Sequence, residues 1–92
     1  MKISILNAQQ VIFEGGVSEA VLPGADGELS ILDDHEQIFV ALNKGFIHLT
    51  PIAKRVGARL VGEVGRIQEM KPIKIQRGVA RMKGNELVIL VE

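Results

Sequence analysis

The sequence predicts an all-β protein of one domain, on three observations. Val, Ile and Leu alternate with polar residues at period two in short stretches. Ten glycines and three prolines break the chain between those stretches. The C-terminal segment has the composition of a β-hairpin, with two turn residues between apolar arms. A chain of 92 residues has room for one modest core, burying about two-thirds of the surface its unfolded form exposes. Residues 1–92 are therefore expected to form a single domain, with no internal repeat and no linker. There is no cysteine, so burial and backbone pairing must supply the stability.

In chain order, Ile3 and Ile5 alternate with Lys2 and Ser4, which predicts a first strand. Val17, Ala20, Val21 and Leu22 then lead into Pro23-Gly24. The stretch VLPGADGELSIL reads as strand, tight turn and strand: Pro23 sets φ, Gly24 and Gly27 supply the corners, and Leu29, Ile31 and Leu32 are expected to return to the core. Asp33-Asp34-His35-Glu36 ends that strand in a turn. After the turn Asn43-Lys44-Gly45, Phe46, His48 and Thr50 alternate with Ile47 and Leu49. Between Ile52 and Ile67 a helical spacing competes with alternation. Gly57, Gly62 and Gly65 each cost a helix about 1 kcal/mol, so strands joined by glycine bends are favoured. Gly78–Met82, a turn at Lys83-Gly84-Asn85-Glu86 and Leu87–Val91 make the closing hairpin. Its last arm is apolar on both faces and should lie inside the body.

Composition narrows the function classes. Net charge is zero, yet residues 1–50 carry seven acids against two lysines, and residues 51–92 carry nine bases against four glutamates. Folding into one body should neutralise these halves across strands; a two-faced surface meeting partners of opposite sign is the sharper reading. Nucleic acid is disfavoured because all three phenylalanines lie in the acidic half, leaving no stacking platform among the bases. The apolar runs, Leu87–Val91 among them, fall far short of the ~20 residues that span a bilayer. The opening MKISILNAQQ lacks a secretory signal, so the mature chain is expected to start near Met1.

Catalytic constellations are sparse. Two histidines, His35 and His48, and three serines permit a triad arithmetically, but there is no GxSxG elbow. Asp26, Glu28, Asp33, Asp34, His35 and Glu36 could hold a hard cation, yet their spacing matches no DxDxDG loop, and turn acids ordinarily cap backbone N–H groups. In PGADGE, Glu28 stands where a phosphate would be repelled. The chain is expected to be no enzyme, with no cofactor, no metal and no small-molecule substrate. Glu69-Met70-Lys71-Pro72 resembles, in its Met-Lys pair, the turn on which biotin carrier domains present their lysine. Glu69 and Pro72 depart from that pattern. A carrier domain with Lys71 as attachment site is the alternative reading, and an ordinary surface lysine the plainer one.

A second resemblance covers nearly the whole chain. Val11-Ile12-Phe13-Glu14-Gly15, Leu22-Pro23-Gly24, Gly27-Glu28-Leu29, Ile31-Leu32, His35, Leu42-Asn43-Lys44-Gly45 and the closing hairpin stand in order. In this they are similar to the N-terminal β-sandwich domain of the epsilon subunit of F-type ATP synthases. The resemblance implies a flattened sandwich of about ten short strands. It also implies a central-stalk rotor subunit joining the gamma subunit to the c-ring, so that ion flow is coupled to ATP synthesis without chemistry of its own. Its place would be peripheral, on the cytoplasmic face of the inner (plasma) membrane, without membrane insertion. Gly27, Glu28 and Leu29 would face the polar loops of the c-ring; Asn7, His35, Phe39 and Val40 would pack on gamma.

Three departures stand out. Asp33-Asp34 replaces the family's Pro-Gly, the segment from Thr50 to Gly78 is longer and basic, an expected enlarged hairpin, and the sequence stops at Glu92 where family members continue into two helices. A short form without that C-terminal helical hairpin, and without its regulatory inhibition or ATP site, is the expectation.

Overall fold

Alternating burial runs through nearly every strand of the structure, a computed structural model that describes residues 1–52, 54–56, 59–61 and 70–92. The strands are β1 (Lys2–Leu6), β2 (Val11–Gly24), β3 (Gly27–Leu32), β4 (Ile38–Leu42), β5 (Gly45–Pro51), β6 (Lys54–Val56), β7 (Arg59–Val61), β8 (Ile73–Ile75), β9 (Gly78–Lys83) and β10 (Glu86–Val91). Among the described residues there is no helix. Strand order is β1-β10-β9-β4-β2-β5-β8, with β3 on β2 and a further β1–β2 pairing. The family-like sandwich follows: β1, β10, β9, β4 and the first part of β2 make one layer, and β3, the second part of β2, β5 and β8 the other.

β2 is what joins the layers. Its alternating stretches, short enough to be separate strands, form one strand of 14 residues. Val11–Gly16 pairs with β1, and the remainder with β3 and β5, with register slips at Ile5/Leu6 and Val17/Glu19. Such slips re-aim side chains: Val17 faces the core, and after the slip so do Ala20 and Leu22. The core is apolar throughout, with Ile3, Ile5, Leu22, Ile31, Ile47 and Ile89 fully buried and no buried polar side chain among the described residues.

The closing hairpin forms as expected, with Gly84 at φ 58° and Asn85 at φ 60° as its two turn residues. Both positive values mark the type I′ geometry that matches strand twist. β10 lies between β1 and β9, inside the sheet as its composition suggested, though its outward Leu90 is 52% exposed. Its pairing with β1 is parallel and has no local signature, since no turn connects the two. In the basic segment β6 and β7 pair antiparallel, and β8 returns to pair with β5; residues 53, 57–58 and 62–69 of that expected enlarged hairpin lie outside the described residues.

Leu32 departs from expectation. Ile31 and Leu32 are adjacent in a strand and must point to opposite faces, and it is Ile31 that takes the core while Leu32 is 55% exposed.

The DDHE turn is a structural clasp. Asp33 pairs with the Met1 α-amine, which also donates to Val17 O at 2.9 Å. Asp34, at φ 59°, donates its N–H to Asn85 Oδ1 at 2.9 Å, and the Asn85 carbonyl accepts Lys2 N–H at 3.1 Å. Asn85 thus ties three segments together. Asn85→Gly keeps the left-handed backbone but removes the acceptor, and should cost about 1 kcal/mol; Asn85→Ala adds backbone strain and should cost about 2 kcal/mol in all. Thermal unfolding in the order wild type, Gly, Ala checks this, and equal midpoints for all three would refute it.

Candidate functional site

The hairpin joining β2 to β3 is closed by the Gly24↔Gly27 and Pro23↔Glu28 pairs, leaving Ala25 and Asp26 as its tip. Gly27 has φ +121°, a region that disfavours any side chain, and a Cβ on Gly24 would meet Gly27 O at 2.6 Å. The base of the hairpin is tied to β4 by Ala25 N–H donating to Ala41 O (3.0 Å) and Asn43 N–H donating to Pro23 O (2.8 Å). Glu28 is therefore an exposed carboxylate on a braced corner, while Leu29 is half-buried and packs on the core.

The four residues expected on a second surface are not side by side. Phe39 and Val40 are neighbours in β4 and point oppositely: Phe39 is 71% exposed, whereas Val40 packs on the core. Asn7 lies in the turn after β1, its Oδ1 accepting the N–H groups of Gln9 and Gln10, both at 2.9 Å. His35 is half-buried in the turn after β3, with Nδ1 2.9 Å from Glu36 O.

Instead, a cleft of about 370 Å³ brings Gly27, Glu28 and Leu29 together with Phe39 and Val40. Asn7 lines a different and larger groove of about 620 Å³, floored by Leu6, Ala41, Val79 and Leu90. His35 lines neither. Val79 and Leu90 were not singled out from the sequence. The available signal was the apolar residue at an outward position of β10, which a strand covered on one face only would not require.

At the rim of the larger groove Arg77 pairs with Glu92. The hydrogen bond to Glu92, and then its charge, raise the Arg77 pKa from an already high value, so the guanidinium stays charged. The other ion pairs are Lys2–Glu86 at 3.9 Å and Met1–Asp33. Among the described residues, none joins an acid of the first half to a base of the second. The halves share one body, but the expected neutralisation is not made by direct pairing, because the buried contacts between them across β5–β8, β4–β9 and β1–β10 are built on apolar side chains. Among the described residues no three His, Asp or Glu are placed to hold a metal ion. Lys71 is exposed beside Pro72 ahead of β8, and Glu69 of the carrier-like motif lies outside the described residues.

Comparison with known proteins gives a consistent picture. The family model described as the β-sandwich domain of the ATP synthase delta/epsilon chain matches residues 1–92. An ATP synthase epsilon chain from Sulfurimonas denitrificans is 29% identical over 86 residues, covering 92% of this chain and 66% of the relative. One from Leptospira interrogans is 21% identical over 92 residues, covering 100% of this chain and 61% of the relative. The chain thus spans about two-thirds or less of these relatives' length. Among solved structures, a chain in the central stalk and c-ring of the Tetrahymena thermophila mitochondrial ATP synthase superposes with a TM-score of 0.69 at 14% identity, over 98% of this chain and 61% of the other.

Proposed function

The chain belongs to the ATP synthase delta/epsilon β-sandwich family, and from that premise we propose that it is a non-catalytic central-stalk subunit. It links the gamma subunit to the c-ring and couples ion flow to ATP synthesis. The observation that carries this reading is the family match along the whole chain. The placement of Glu28 supports it: an exposed carboxylate on a hairpin braced against β4 can transmit force without deforming. The ring contact is assigned to the Gly27-Glu28-Leu29 corner. The gamma contact is assigned to the outer face of β4, β9 and β10 with Asn7 and His35, where exposed Leu90 and half-buried Val79 give an apolar centre with a polar rim. Val40, turned to the core, supports that face from behind.

The subunit sits peripherally on the cytoplasmic face of the inner membrane; no helix among the described residues is long and apolar enough to cross it. Reconstitution tests this. Glu28→Lys should weaken binding of the chain to purified c-rings by about tenfold, equivalent to ~1.4 kcal/mol, and reduce ATP-driven ion pumping while the isolated chain keeps its β-sheet circular dichroism. Unchanged binding and pumping would refute the assignment of Glu28, and absence of any complex with gamma or the ring would refute the stalk role.

A further inference from the structure

Met1 is buried ahead of β1, with 5% of its surface exposed. Its backbone exchanges two hydrogen bonds with Val17: the α-amine donates to Val17 O and Val17 N–H donates to Met1 O, both at 2.9 Å. That exchange continues the antiparallel β1–β2 register, in which Lys2 stands opposite Gly16. An ordinary peptide N–H would serve Val17 equally well. An ammonium group adds a charge and further donors, and here these go to the Asp33 carboxylate. The Asp33 side chain is 55% exposed, so it is the buried ammonium that needs the pair.

The turn that receives this contact has little else to fix its shape. Where the family has Pro-Gly, this chain has Asp33-Asp34. No ring sets φ at the first position, and the second, at φ 59°, carries a side chain in a conformation that glycine adopts without strain. Three contacts hold the turn: Asp33 to the Met1 amine, Asp34 N–H to Asn85 Oδ1 at 2.9 Å, and His35 N–H to Leu32 O at 3.2 Å. Only the first is an ion pair. We propose that the Met1 α-ammonium is a structural cation, and that Asp33 is the positioning residue through which it fixes the turn carrying His35. The device lies wholly within the chain and does not depend on the central-stalk reading.

The full chain, prepared with its α-amine either free or acetylated, tests this. Acetylation keeps one N–H for Val17 and removes the charge that meets Asp33. It should lower the thermal midpoint by about 5 °C, and Asp33→Asn should do so by a similar amount. Because both changes remove the same ion pair, acetylated Asp33→Asn should fall by about 5 °C in total, not by the ~10 °C of independent losses. Asp34→Asn is the control: its backbone N–H still reaches Asn85 and its side chain tolerates positive φ, so its midpoint should stay within about 1 °C of wild type. The Asp34 amide hydrogen should also exchange about fivefold faster in the acetylated wild type than in the free one. Additive midpoint losses would overturn the proposal, since the amine would then act apart from Asp33. An Asp34 amide that exchanges at the same rate in both forms would overturn it too, because the turn would not depend on the ammonium.

Discussion

Gly78→Ala should destabilise the chain by about 3 kcal/mol, at the upper end of what overpacking a core costs. Gly78 opens β9 and sits between two partners, opposite Val91 of β10 and Leu42 of β4. A Cβ there would collide with the Leu90 carbonyl oxygen and lie 3.2 Å from Val91 Cγ1 and 3.3 Å from Val91 Cα. Two of those three atoms are backbone, so no rotamer change relieves the contact; β10 itself would have to move, and β10 is paired on both sides. Gly15→Ala is the matched control. Its Cβ would meet only the tip of the Phe13 ring at 3.3 Å, which can swing away, so the change should stay within about 1 kcal/mol of wild type. Urea unfolding of the full chain at equilibrium measures both. Equal midpoints for the two variants would show that the β9–β10 seam is looser than the structure has it.

The contrast between these glycines shows where the sequence is readable. Gly84 and Gly27 announce themselves, because a turn with positive φ has few acceptable residues and both stand beside Asn, Asp or Glu in a loop-like stretch. Gly78 gives no such sign; its reason is a long-range neighbour, and local sequence carries no record of it. The same division runs through the fold. Hairpins β2–β3 and β9–β10 were legible because the turn and both arms are contiguous. The parallel β1–β10 pairing and the single long β2 were not, since both depend on which distant strand arrives alongside. At the candidate site, Glu28 was legible as an exposed corner. Its union with Phe39 in one cleft was not, because Ala25 and Ala41 are joined by a backbone hydrogen bond that no residue type specifies.

Two leucines on the β2–β3 hairpin offer the sharpest test of the fold itself. Leu22 and Leu32 are chemically the same, lie on paired strands, and both belong to apolar stretches that a reader of the sequence would send to the core. The structure separates them: Leu22 is fully buried, and Leu32 is 55% exposed. Leu22→Ala removes methyl groups from a close-packed interior and leaves a cavity, which should cost about 2–5 kcal/mol. That loss is comparable to much of the stability a domain this small holds. Leu32→Ala removes a half-wetted side chain opposite Glu19 and should change stability by less than about 0.5 kcal/mol. The ratio matters more than either value, because a one-residue register slip in β3 would move Ile31 outward and Leu32 inward. If Leu32→Ala proved the costlier of the two, β3 would be in that other register and the neighbouring Glu28 would turn with it, away from its exposed position. The hairpin register and the outward placement of Glu28 therefore stand or fall on the same measurement.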